Sequence, residues 1–260
     1  MGQKLGQNFL KDESVIQKII EVANLKKDDV VLEVGPGKGI LTEKLSENAG
    51  KVLAVEIDSS LLEELRNKLR NFNNVEIINE DILKIDLEQL FNSYELIPKN
   101  YKLVANIPYY ITSKIIRLFL ENENPPSEMI LMVQKEVAER IVAVPGKMSI
   151  LAVSVQYYAE AKYLFTVGRQ CFDPMPEVDS AVIRITHSAK NETKEDVDNF
   201  FRIVKAGFCA RRKTLSNNIS NSFHLDKKET QEKIQSVGFS SNIRAQELSV
   251  DDWKKLSRIF

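Results

Sequence analysis

Cysteine is scarce in this chain of 260 residues: only Cys171 and Cys209 occur. Their positions match no metal-like or redox-like spacing, which excludes a secreted disulfide scaffold and a cysteine-based centre. A basic surplus is also missing. Lys and Arg total 36 against 37 Asp and Glu, for a net charge of −1. Phosphate contacts normally draw on such a surplus, so a nucleic-acid surface here has to come from local clustering. No apolar run approaches the length of a membrane span. The segment from Met1 to Leu10 is polar and lacks the apolar stretch of a signal peptide, so a reducing cytoplasm is the expected location. There is no internal repeat and no low-complexity tract. What remains is an ordinary globular composition, 43% hydrophobic and 28% charged. The length suits one large α/β domain with a smaller appendage.

The first half alternates short apolar runs with helical patterns. Val30-Val31-Leu32-Glu33-Val34, Val52 to Glu56, Val75 to Ile78, Leu103 to Ala105 and Met129 to Val133 read as strands. Ile40 to Ser46, Leu61 to Leu69, Ser113 to Leu120 and Gln134 to Val142 read as helices. Continuous apolar strands between helices predict a mostly parallel sheet covered on both faces. The character changes after about Val144. Tyr163 to Val167 and Ala181 to Thr186 predict a terminal antiparallel pair, and the polar stretch from His187 to Asp196 reads as a linker. Val197 to Phe260 is helical in pattern, including Glu229 to Val237 and Val250 to Phe260, with Gly238 as a C-cap. The expected division is therefore 1–188 for the α/β domain and 189–260 for a small helical one.

Glu33-Val34-Gly35-Pro36-Gly37-Lys38-Gly39 follows the first strand and opens a helix. Glycines there let backbone approach a ligand, and the helix start offers free N–H groups. By itself the pattern fits a tight structural turn equally well. Glu56 ends the second strand roughly 20 residues on, where an acid can accept from ribose hydroxyls. Asp81 follows the third strand, where a carboxylate can accept from an adenine amine. Either acid also suits a helix N-cap. Three such features at successive strand ends favour a ligand, because open α/β sheets bind at that edge. A dinucleotide fold places its third glycine three residues after the second; residue 40 is isoleucine and the last glycine is Gly39. This spacing resembles motif I of class I methyltransferases, and the acidic Glu33 suits a cofactor without phosphates.

Asn106-Ile107-Pro108-Tyr109 comes just after the fourth strand. It resembles the Asn-(any)-Pro-aromatic motif of amino-methyltransferases. The N6 lone pair of adenine is delocalised into the ring and is a poor nucleophile. Acceptors that hold the amine hydrogens draw the nitrogen toward tetrahedral geometry and expose that pair. The Asn106 side-chain oxygen is one candidate acceptor. The Ile107 carbonyl is the other, since a residue before proline is confined to extended geometry. Tyr109 offers a flat face for stacking an extruded base, worth about 1–3 kcal/mol. The competing explanation is a loop with an ordinary turn proline.

Taken together, these motifs resemble the ribosomal RNA adenine dimethylase family, KsgA type, nearly end to end. Gly6-Gln7-Asn8-Phe9-Leu10 resembles the family's opening motif. The resemblance implies a class I methyltransferase fold and S-adenosylmethionine as cofactor. It implies cofactor contacts from Asn8, Leu10, Gly35, Glu56, Asp81 and Asn106, and no metal. The segment Phe172-Asp173-Pro174-Met175-Pro176-Glu177-Val178-Asp179-Ser180-Ala181-Val182 resembles the late motif. By that likeness Phe172 covers the target base opposite Tyr109, completing a catalytic set of Asn106, Pro108, Tyr109 and Phe172; core packing is the alternative for Phe172. The related antibiotic-resistance dimethylase of large-subunit rRNA shares Asn-Ile-Pro-Tyr. Gln134-Lys135-Glu136-Val137-Ala138, Asp179-Ser180-Ala181, Arg211-Arg212-Lys213-Thr214 and Arg244-Ala245-Gln246-Glu247-Leu248-Ser249 favour the KsgA type. The implied reaction is dimethylation of two adjacent adenines in the hairpin loop near the 3′ end of small-subunit (16S) rRNA. The small ribosomal subunit is the implied partner, no membrane is involved, and a monomer is expected. A ribosome-assembly binding factor with secondary catalysis is the second reading, and a nicotinamide dehydrogenase a distant third.

Positive charge does cluster. Arg202, Lys205, Arg211, Arg212 and Lys213 gather at the start of the helical domain, with Lys135, Arg140, Lys147, Arg169 and Arg184 elsewhere. These make 189–260 the expected RNA-binding and ribosome-binding part, although solvated helix faces look similar. Two stretches depart from the family. Only Lys4 precedes Gly6, where relatives carry several basic residues, and Lys147-Met148-Ser149-Ile150-Leu151 lacks a Tyr-Gly pair.

Overall fold

A computed structural model describes residues 8–188 and 193–260. Lys4, Gly6 and Gln7 therefore lie outside the described residues. The strands are β1 (Phe9–Leu10), β2 (Val30–Val34), β3 (Lys51–Glu56), β4 (Val75–Asn79), β5 (Tyr101–Asn106), β6 (Glu128–Gln134), β7 (Ala159–Val167), β8 (Phe172–Asp173) and β9 (Ser180–His187). Seven form one sheet in the order β4-β3-β2-β5-β6-β9-β7. The five strands from β4 to β6 run parallel, and β9 returns antiparallel to β6. This is the mostly parallel sheet with a terminal antiparallel strand that the alternation implied. The central strands are buried on both faces; Val31, Leu32, Leu53, Leu103 and Leu131 have no exposed surface. β1 and β8 pair separately, with Leu10 opposite Phe172.

The helices that alternate with these strands are α1 (Glu13–Ala23), α2 (Ile40–Asn48), α3 (Leu62–Leu69), α4 (Leu87–Tyr94), α5 (Thr112–Leu120) and α6 (Lys135–Ile141). Helix α1 starts at Asp12, whose carboxylate accepts from the Ser14 and Val15 N–H groups. It buries Val15, Ile16, Ile19, Ile20 and Ala23 along one stripe. Because β2 to β5 are parallel, their carboxyl ends share one edge of the sheet. That geometry alone gathers the glycine turn, Glu56, Asp81 and Asn106.

The chain divides into two compact units, Met1–Ala138 with Glu160–His187, and Glu139–Ala159 with Ser188–Phe260. The sequence placed a single cut after 188, so residues 139–159 change sides. They carry α7 (Ile150–Tyr158), which packs with α8 (Lys194–Gly207), α9 (Leu215–Phe223), α10 (Lys227–Ser236) and α11 (Val250–Ser257). In this helical unit the Tyr157 and Phe200 rings lie 4.2 Å apart. Trp253 is fully buried against Gly207, where a β-carbon would sit 2.3 Å from the indole. The atypical 147–151 segment is the start of α7. Met148 is buried, and the Ser149 hydroxyl accepts from the Ala152 N–H at 3.2 Å. The expected linker is shorter than 187–196: β9 continues to His187, and Thr193 and Asp196 form a capping box at the start of α8.

Candidate active site

The carboxyl edge of the α/β unit holds a cavity of about 290 Å³, at the lower limit for small-molecule sites. Its floor is the turn after β2. Gly35, Gly37 and Gly39 all have positive φ, at 69°, 56° and 73°. At Gly37 the reason is doubled, since a β-carbon there would lie 2.9 Å from the Phe9 ring. The opening motif thus closes on the glycine turn, with Lys38 Nζ 5.3 Å from the centre of the Phe9 ring.

Two acids are organised by backbone. Glu56 is 2% exposed; its oxygens accept from the Gly37 N–H at 3.0 Å and the Asp58 N–H at 2.9 Å. The acid thereby ties the end of β3 to the glycine turn and keeps lone pairs for a ligand. Asp81 accepts from the Leu83 N–H at 3.0 Å and stands 3.6 Å from Lys84 Nζ. Both the capping role and the ligand role suggested by the sequence are therefore compatible here, because each carboxylate also lines the cavity. A third acid, Glu33, is 1% exposed, and burial pushes its pKa up to about 8. The neighbouring Thr42 hydroxyl opposes that rise and the Glu56 carboxylate adds to it. Among the described residues the wall contains Glu33, Glu56, Glu80 and Asp81 against one cation, Lys38. This donor set disfavours a phosphate-bearing dinucleotide and fits S-adenosylmethionine, which carries a sulfonium and no phosphate.

Asn106 ends β5, and its amide nitrogen donates to the Asn8 carbonyl at 3.4 Å. That contact leaves the amide oxygen as the free acceptor. The Ile107 N–H is spent on the Met132 carbonyl at 3.2 Å, and no hydrogen bond among the described residues takes the Ile107 carbonyl. Pro108 has φ −54° and ψ 128° and passes the chain into a short turn that carries Tyr109 and Tyr110. Tyr109 is half-buried, and its hydroxyl is 2.7 Å from Ser180 Oγ, itself fully buried. Burial raises the Tyr109 pKa, the Ser180 bond pulls it down, and Asp179 adds to the rise, so the phenol stays neutral.

Of the residues singled out in the sequence, Asn8, Leu10, Gly35, Glu56, Asp81, Asn106, Pro108 and Tyr109 share the cavity wall. Phe172 does not. Its ring is 1% exposed within the hydrophobic core, and its strand pairs with Leu10 of β1. This burial favours the core-packing alternative for Phe172, with the opening motif seated on the β1–β8 pair. The late motif reaches the site through Ser180, which in the sequence is only one small polar residue in a strand. Glu33 is the other site acid whose weight the sequence does not reveal. Two of the basic residues have partners within the chain: Arg184 pairs with Glu128 at 3.2 Å, and the partly exposed Arg202 donates to Asn199 and the Phe260 carbonyl. Lys205, Arg211, Arg212 and Lys213 are exposed as well.

The model of the ribosomal RNA adenine dimethylase family matches residues 2–260. Ribosomal RNA small subunit methyltransferase A of Streptococcus thermophilus is 42% identical, covering 98% of this chain and 90% of that protein. The protein of the same name from Fusobacterium nucleatum is 43% identical, with 99% and 97% covered. Among solved structures, a dimethyladenosine transferase from Plasmodium falciparum aligns at TM-score 0.79 and 27% identity over 95% of both chains. The 23S rRNA methyltransferase ErmE aligns at TM-score 0.76 and 27% identity, over 97% of this chain and 99% of that one. These full-length likenesses confirm the class I methyltransferase fold with S-adenosylmethionine as its methyl donor, and the chain belongs to the ribosomal RNA adenine dimethylase family.

Proposed function

We propose that this chain dimethylates N6 of two adjacent adenines in the 3′-terminal hairpin loop of small-subunit rRNA. On this reading it acts as a cytoplasmic monomer on the small subunit and contributes to its biogenesis. The observation that carries the reading is the acceptor pair after β5: the Asn106 amide oxygen and the Ile107 carbonyl, beside a cavity lined by acids. Asn8, Leu10, Gly35, Glu56, Asp81 and Asn106 hold the cofactor. S-adenosylmethionine supplies an electrophilic methyl group on a positively charged sulfur. Asn106 and Ile107 accept the amine hydrogens and free the N6 lone pair for in-line attack. Pro108 aims the Ile107 carbonyl, and the Tyr109 ring stacks on the extruded base. The methylated amine is a cation that loses its proton readily, so no side chain has to act as a strong base. Arg211, Arg212 and Lys213 meet phosphates of the RNA.

The fold alone does not select the small subunit, since a 23S rRNA methyltransferase aligns well. The choice of the small subunit rests on relatives about 40% identical over nearly the whole chain. Asn106→Ala tests the chemistry. Methyl transfer is expected to vanish, while cofactor affinity falls by no more than about tenfold, the worth of one hydrogen bond. Near-normal turnover would refute the assignment.

A further inference from the structure

The acids of the cavity differ in how far the fold already satisfies them. Both oxygens of Glu56 accept backbone N–H groups. Asp81 accepts the Leu83 N–H and lies near Lys84. Glu80 is exposed to water. Glu33 has neither remedy: it is 1% exposed, and its Oε2 has no hydrogen-bond partner among the described residues. Thr42 Oγ1, fully buried on α2, lies near without completing a bond to it. The charged and titratable groups that line the cavity with Glu33 are Glu56 on β3, Glu80 and Asp81 after β4, Lys38 in the glycine turn, and the Tyr109 and Tyr110 phenols after β5, and of these Glu56 acts on it directly. Carboxylates outnumber the single lysine in this wall, and no cation among the described residues acts on Glu33.

An ionised carboxylate in such a place is costly, and the group stays protonated instead. The site nevertheless has to receive a ligand whose charge changes during the reaction. The methyl donor carries a sulfonium, and the demethylated product carries a neutral thioether; the amino and carboxyl groups are the same in both. We infer that Glu33 is the charge-reading residue of this cofactor site, ionising when the sulfonium form binds and taking its proton back when the neutral product remains. One proton passes to solvent on binding of the donor and returns after transfer, and no other bond is made or broken at Glu33. The carboxylate then holds the donor more tightly than the product, which assists product release. The inference rests on the cavity being the cofactor site.

With a free-state pKa of about 8, the linkage has a definite sign. The bound state holds fewer protons, so donor affinity rises with pH up to the free-state pKa and is level above it. The experiment is titration calorimetry of the full chain with S-adenosylmethionine and with S-adenosylhomocysteine. It is run between about pH 6 and pH 9 in buffers of different ionisation heat. The wild-type chain is expected to release close to one proton with the donor at neutral pH, with affinity rising toward tenfold per pH unit. S-adenosylhomocysteine is expected to show markedly less of both. Glu33→Gln is expected to bind the donor with that proton release gone and a donor-to-product preference flat with pH. Should the variant fold poorly, the two ligands compared on the wild-type chain still decide the matter. Equal proton release with both ligands, none with the donor, or an unchanged pH-dependent preference in Glu33→Gln overturns the inference. Donor binding without proton release removes this role alone, whereas no binding at all removes the cofactor site with it.

Discussion

The Tyr109 side chain separates two explanations of the Asn-Ile-Pro-Tyr motif, because its ring and its hydroxyl do different things. The ring is assigned to stacking. The hydroxyl is tied to Ser180 Oγ at 2.7 Å, and Ser180 is fully buried at the start of β9. Tyr109→Phe keeps the ring and strands the Ser180 hydroxyl. Removing a buried hydrogen bond costs about 1 kcal/mol of stability, somewhat more where the remaining partner finds no substitute. Tyr109→Ala removes the face as well. Stacking on an aromatic side chain is worth about 1–3 kcal/mol, or roughly 5- to 150-fold in kcat/KM if all of it is expressed in the transition state. The assay is methyl transfer to unmethylated small subunits at saturating cofactor, with urea unfolding of each variant alongside. Tyr109→Phe is expected to fall in stability and stay within several-fold of wild-type activity, while Tyr109→Ala loses most of its activity. If the two variants lose activity equally while both remain folded, the ring face is not what the reaction uses, and the stacking role fails.

Two more predictions concern Phe172 and the RNA surface. Phe172→Leu, a modest change of shape in a packed core, is expected to cost roughly 1–2 kcal/mol and leave turnover within several-fold. A collapse of kcat in the folded variant would restore a base-covering role. Replacing Arg211, Arg212 and Lys213 together with alanine is expected to weaken subunit binding and flatten its salt dependence, by about 0.7–0.9 in log-log slope for each phosphate no longer neutralised. Cofactor affinity in that variant is expected to be unchanged by calorimetry, and an unaltered salt slope would remove these residues from the RNA interface.

Much of the sheet was legible because a parallel strand covered on both faces has to be apolar along most of its length, as in Val30 to Leu32 and Met129 to Val133. The acids and Asn106 were legible for a related reason: polar residues at the ends of such runs lie where the sheet opens. The elements that escape sequence reading do so for distinct physical causes. Helix α7 is apolar almost throughout and rich in valine and isoleucine, so it shows no face and looks like a strand. Strands β1 and β8 have two residues each and exist only because distant segments meet, Phe9 with Asp173 and Leu10 with Phe172. Helix α1 did carry its signal, an aspartate cap followed by an apolar stripe. Phe172 shows the limit of reading a motif, since the letters do not say whether an aromatic faces the cavity or the core. Ser180 shows the converse, a small residue whose partner is fixed by chain geometry rather than by local pattern. The compact units differ from a single cut after residue 188 because they are defined by packing, and residues of 139–159 pack with helices much later in the chain.

Relatives about 40% identical carry the choice of substrate, whereas the fold is shared with an enzyme of large-subunit rRNA. A radiolabelled methyl-transfer assay offering unmethylated small and large subunits side by side tests that choice most directly. Label is expected in the small subunit, at adenine N6 and as dimethyladenosine, and absent with Asn106→Ala. Label confined to the large subunit would contradict the account.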